Sequence, residues 1–145
     1  MSGSTILERN VSVPSKFFYD SFTAWADVGT LLPDLIERVE CDGNHAGSVR
    51  TIHFKETSGY PGVVRERLDA VIDERIIVFS VLGSCALPFI DYVSYICLDE
   101  TGPEETRILW SGNWQETDIE PDDLNDMMMG FYSLICDNLE QLYRN

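Results

Sequence analysis

Between Val64 and Ile72 the chain reads Val-Arg-Glu-Arg-Leu-Asp-Ala-Val-Ile, and strict alternation puts Val64, Leu68, Ala70 and Ile72 on one face together with a carboxylate, Glu66. Arg65, Arg67 and Asp69 fall opposite, as a solvated face should. A carboxylate on the apolar side of a strand is costly to bury alone. Glu66 is therefore salt-bridged, protonated, facing a wet pocket, or close enough to the strand's end to reach water. Upstream, Arg50, Ile52 and Phe54 share a face opposite Val49, Thr51 and His53, which makes Arg50 a candidate partner inside the fold. The same alternation groups Tyr92, Ser94 and Ile96 on one later segment and Ile108, Trp110, Gly112 and Trp114 on another. A few polar anchors in a mostly apolar wall are the chemistry of a small-molecule pocket. The other reading is a satisfied Arg–Glu pair near a strand end, and Trp110, Trp114, Phe79 and Phe89 are of the types that dominate cores.

Other chemistries find little support. No Ser-His-Asp arrangement is legible, His53 falls on the outer face and His45 in a turn, so no catalytic residue is assigned. The four cysteines form no CxxC pair, and neither histidine stands at ligand spacing from one, so no metal and no cofactor is expected. Only Lys16 and Lys55 could supply an amine nucleophile. With 25 acids against 10 Lys and Arg and a net charge of −15, nucleic acid and anionic membrane surfaces are poor partners. No apolar run approaches a membrane span, the Met-Ser-Gly-Ser-Thr start does not read as a signal, and free thiols fit a reducing, cytoplasmic setting.

The elements that must position these residues follow from the patterning. A length of 145 residues fits one domain, 1–145, with 44% hydrophobic content to build its core. Thr5 to Val13 reads as a strand ended by Pro14. Phe17, Phe18, Phe22 and Trp25 then mark an amphipathic helix over Ser15–Val28, and Leu31 to Pro33 a short second helix or turn. Six strands follow over Leu35–Glu40, Ser48–Lys55, Val63–Ile72, Arg75–Leu82, Asp91–Asp99 and Thr106–Thr117, with breaks short enough for an antiparallel succession. Pro121, Asp122 and Asp123 open a helix to about Tyr143. Its apolar stripe of Leu124, Met127, Met128, Phe131, Leu134, Ile135 and Leu142 is wide enough to be embraced by the sheet. Gly130, inside that helix, serves either close packing or ligand space.

This order resembles the helix-grip superfamily, also called START-like or SRPBCC, over nearly the whole chain. The resemblance implies an α+β fold in which a seven-stranded antiparallel sheet wraps a long C-terminal helix, with two short helices after the first strand and an apolar cavity between sheet and helix. Within it, Ser58-Gly59-Tyr60-Pro61-Gly62 followed by Glu66-Arg67-Leu68-Asp69 is similar to the gate loop and next strand of plant abscisic-acid receptors, and Tyr92-x-Ser94 to a pair lining their cavity. Gly83 to Leu87 stands where their latch lies but lacks its His-Arg pair. No lysine occurs near Pro33 and Asp34, where those receptors hold the hormone carboxylate.

These readings predict a small hydrophobic ligand, lipid, polyketide or isoprenoid-like, enclosed by Arg50, Phe54, Tyr60, Pro61, Glu66, Phe79, Phe89, Tyr92, Ser94, Trp110, Met127, Gly130 and Leu134. The resemblance also implies an alternative, a polyketide cyclase or dehydratase using Arg50, Glu66 and Tyr92. A third reading is an interaction module, a homodimer face formed by the outward residues Ile76, Val78, Val93, Tyr95 and Cys97.

Overall fold

Alternation in seven segments and a 3.6-residue period in the last one give a single sheet and one long helix. The computed structural model describes residues 2–83, 85–115 and 119–145. Strands β1 (Gly3–Val11), β2 (Ile36–Cys41), β3 (Val49–Phe54), β4 (Gly62–Ile72), β5 (Ile76–Val81), β6 (Ile90–Gly102) and β7 (Glu105–Gln115) pair in the order β1-β7-β6-β5-β4-β3-β2, every ladder antiparallel. Consecutive strands from β2 to β7 are neighbours, so short turns suffice. β1 and β2 are the two edges and are joined across the sheet by helical segments. The last residues of the expected seventh strand, Glu116 and Thr117, lie outside the described residues.

Those segments differ from the sequence reading. Helix α1 spans Ser15–Thr23, and a separate 3-10 helix occupies Trp25–Thr30, where one helix to Val28 was expected; Leu31–Pro33 is a turn. Ala24 leaves the helical region at ψ 75°, after its N–H closes α1 on the Asp20 carbonyl. The break turns the Trp25 ring into the core, where it is wholly buried.

A second correction lies in β4. Val64, Glu66 and Leu68 point inward as alternation requires, but Ala70 is exposed and Ile72 is 54% exposed. The pairing with β5 steps from Leu68–Phe79 to Ala70–Val78, so Asp69 is an extra residue and every side chain beyond it changes face. Beyond this bulge the apolar face belongs to Val71 rather than to its neighbours.

Helix α2 (Pro121–Arg144) starts on proline with Asp122 and Asp123 in its first turn, next to the positive end of its dipole. Its buried stripe is Leu124, Met128, Tyr132, Ile135, Cys136 and Leu139. Polar clamps fix the helix across the sheet: Arg9 donates to Asp137 and Glu140 at 2.6 Å each, the Ser12 N–H to Glu140 at 2.8 Å, and the Asn138 amide to the Leu31 carbonyl at 2.6 Å. The opposite face of the sheet carries Val93 and Tyr95 exposed, with Ile76, Val78 and Cys97 half-buried.

Gly130 and Leu134 fall on the far side of this stripe. At about 100° per residue they stand well away from the Met128–Tyr132–Ile135 line. Leu134 is accordingly 38% exposed, and a Cβ added at Gly130 would meet nothing within 4 Å. Gly130 therefore provides neither close packing nor ligand space. Leu142, 43% exposed in the last turns, also leaves the expected stripe. Because a helical glycine costs about 0.5–1 kcal/mol relative to alanine, Gly130→Ala should stabilise the protein by roughly that amount, read as a higher urea midpoint at unchanged slope.

Candidate functional site

In the β3–β4 ladder Arg50 is the direct cross-strand partner of Glu66, and both side chains point to the concave side. Arg50 donates from Nε at 2.8 Å and from Nη2 at 2.6 Å to one oxygen of Glu66, Oε1. Its Nη1 donates to the Trp25 carbonyl at 3.3 Å, and its guanidinium lies 3.4 Å from the centre of the Trp25 ring. The indole N–H of Trp25 in turn donates to the Glu66 carbonyl at 3.4 Å. Cation, carboxylate and aromatic face thus form one unit that ties the 3-10 helix to β3 and β4. Burial lowers the Arg50 pKa from its ordinary value, while the Glu66 charge and hydrogen bond oppose the shift. Two N–H bonds from the guanidinium converging on one carboxylate oxygen make Glu66 the salt-bridged partner of Arg50.

A second polar pair sits deeper. The hydroxyls of Tyr92 on β6 and Tyr132 on α2 are in hydrogen-bonding contact over Gly112 of β7. A Cβ at Gly112 would fall 2.1 Å from the Tyr132 oxygen and 2.8 Å from that of Tyr92, so only glycine leaves room for the pair. Tyr132 stacks on Trp110 with ring centres 4.2 Å apart, and Tyr92 on Phe89 at 4.6 Å. Burial raises both phenol pKa values above the ordinary tyrosine value, so both stay protonated at neutral pH. Ser94 accepts the Trp110 indole N–H at 2.8 Å and donates to the Ser111 carbonyl at 3.2 Å.

Both pairs face one cavity of about 70 Å³ between sheet and α2. Of the sequence-predicted residues, Arg50, Phe54, Glu66, Phe79, Phe89, Tyr92 and Trp110 line it. Six do not. Ser94 is fully buried between the Trp110 indole and the Ser111 carbonyl, Tyr60 packs its ring 5.5 Å from Phe131, and Pro61 is exposed. Met127 is half-buried beside the stripe, and Gly130 and Leu134 face away from the sheet for the helical reason given above. The sequence reading missed Tyr132 and Ile135, which follow Met128 along α2, and Phe22, Val28, Leu32 and Ile36, which close the cavity from α1 to the start of β2. Tyr132 was legible in principle, four residues after Met128 on the buried stripe, had its ring been counted as apolar.

Every lining residue is buried except Leu87 and Phe131, which are half-buried. The rim therefore lies where the loop between β5 and β6 meets α2. There the Ala86 N–H donates to the Val63 carbonyl at 3.0 Å. An apolar cavity of ~150 Å³ takes up benzene. This one is smaller, so admitting a ring requires rim side chains to move outward. Among the described residues no group of His, Cys, Asp or Glu could hold a metal ion, and no helix is long and apolar enough to cross a membrane.

No family model matches the chain, and no curated protein matches it in sequence. Solved structures do. The protein XoxI from Bacillus cereus superposes with a TM-score of 0.80 at 18% identity, covering 99% of this chain and 96% of that one. Norcoclaurine synthase from Thalictrum flavum, solved with dopamine and hydroxybenzaldehyde, gives 0.76 at 18% identity over 99% and 87%. Major latex-like protein 151 from Panax ginseng gives 0.78 at 17% over 97% and 96%. At such identities the likeness establishes the fold, which is the helix-grip fold.

Two outcomes follow from the site's geometry. Glu66→Gln leaves Arg50 buried without its counter-charge and should cost about 3–5 kcal/mol in urea denaturation, while Arg50→Met with Glu66→Met should cost far less, because no charge is left unpaired. Gly112→Ala must push the Tyr132 ring off Trp110, and should destabilise by about 1–3 kcal/mol as overpacking does. An alanine variant as stable as the parent would show that the two hydroxyls do not need the space.

Proposed function

We propose that the protein binds a small, mostly apolar molecule in the cavity between sheet and α2, entered at the Leu87–Phe131 rim. The observation that carries this reading is an Arg–Glu ion pair and a tyrosine hydroxyl pair lining the same apolar cavity. A purely structural core gains nothing from four polar side chains there, since well-packed apolar residues of similar volume are often as stabilising as a buried ion pair. The occurrence of this fold in a norcoclaurine synthase solved with two small aromatic molecules supports the same use.

The cyclase or dehydratase reading draws on the same polar residues and differs in its readout, a change in the substrate's absorbance with turnover. Binding predicts stoichiometric retention without turnover. Native mass spectrometry of the purified protein should show a mass increment from a small organic molecule that is lost on denaturation. Toluene titrated into isotope-labelled protein should shift resonances of Val64, Met128 and Ile135 while leaving the outer sheet face unchanged. Phe131→Ala, which removes a half-buried ring from the rim, should tighten that uptake, and Met128→Trp should abolish it in a protein whose circular dichroism is unchanged. Shifts scattered over the surface, or none in any variant, would sink the reading.

A further inference from the structure

The two ends of the ion pair are not equally open to the cavity. Arg50 spends Nε and Nη2 on one oxygen of Glu66, Nη1 on the Trp25 carbonyl and its flat face on the Trp25 ring. Only 3% of its side chain is exposed. Glu66 keeps 12%, and its second oxygen, Oε2, has no hydrogen-bond partner among the described residues. Of the two cavity-lining charges, the more exposed one is therefore an acceptor. Arg50 is covered, and the net charge of −15 attracts cations and repels anions before they arrive.

We propose that the cavity selects an apolar ring bearing a hydrogen-bond donor, a primary amine or an alcohol, whose N–H or O–H is accepted by Glu66 Oε2, and that it rejects the same ring bearing a carboxylate. This rests on the binding reading above. An ammonium or hydroxyl meets the second oxygen of the carboxylate with a charge-assisted bond in a buried, mostly apolar site, where such bonds are strongest. A carboxylate on the ligand would meet Glu66 as a like charge and find no open guanidinium edge to compensate.

Four probes of one size test this: toluene, benzylamine, benzyl alcohol and benzoate, titrated into the full chain by calorimetry and NMR. Benzylamine and benzyl alcohol should bind at least about tenfold more tightly than benzoate. In the Arg50→Met, Glu66→Met variant, toluene should still bind while the advantage of amine and alcohol over toluene disappears. Glu66→Gln, where it folds, should weaken benzylamine more than benzyl alcohol, because the amide oxygen still accepts a bond but carries no charge. Toluene binding with no preference for amine or alcohol over benzoate would overturn the selectivity and leave the cavity reading standing. A preference that persists in the double variant would remove Glu66 from it. If none of the four binds, the cavity reading falls and this inference with it.

Discussion

A guanidinium cannot be buried without a counter-charge, and the local architecture on the β2–β4 side of the molecule follows from how Arg50 meets that demand. Glu66 supplies the charge from the neighbouring strand, and the Trp25 carbonyl supplies a further acceptor. Each is held in turn by the other, since Trp25 donates its indole N–H to the Glu66 backbone. A cation stacked on a desolvated indole face gains about 2 kcal/mol or more, which helps offset the cost of dehydrating the pair. The geometry requires Trp25 to face inward at one height above β3 and β4. A continuous helix from Ser15 to Val28 would carry the ring elsewhere, so the break at Ala24 is the backbone's accommodation to the ion pair.

The rest of the sheet is organised about the opposite problem, holding a helix against a curved surface whose two edge strands are far apart in the ladder. β1 reaches α2 through Arg9, which spans Asp137 and Glu140, and the turn after the 3-10 helix reaches it through Asn138 and the Leu31 carbonyl. These contacts fall within one turn, Asp137 to Glu140, and hold the C-terminal half of α2 to the sheet, while Met128 and Tyr132 nearer its start line the cavity. There the large rings stack in pairs, Tyr132 of α2 on Trp110 and Tyr92 on Phe89, and the cavity lies beside these stacks.

How much of this was legible in the sequence differs by element. The seven strands, their antiparallel order and the final helix follow from period-two and 3.6-residue patterns, which are local properties of the chain. Arg50 and Glu66 were legible as inward residues for the same reason, and their pairing is a consequence of register. What alternation cannot reveal is a change of phase. The extra residue at Asp69 flips Ala70 and Ile72, and no residue type there announces it. On α2 the apolar stripe was drawn too wide, because leucine and methionine are apolar whichever way they face. Leu134 was thus assigned to a cavity that Tyr132 and Ile135 line, and Gly130 was assigned there for its missing side chain, which says nothing of the way it faces. The closure from α1, the 3-10 helix and the turn depended on a chain reversal set by tertiary contact, which lies beyond any periodicity.

The polar groups stand on the rigid side of the cavity. Charge and hydroxyl are anchored by strand register and by Gly112, and these are rigid: moving Glu66 breaks two bonds to Arg50, and moving Tyr132 breaks its stack. The freedom is on the opposite wall, where Leu87 and Phe131 are the half-buried members of the lining and the Tyr60 ring leans on Phe131 from outside. Expansion at that rim exposes part of two side chains, at about 25 cal/mol per Å² of apolar surface, and an apolar ligand covers the same surface again. The fixed side therefore determines what is recognised, and the yielding side determines how large a molecule enters.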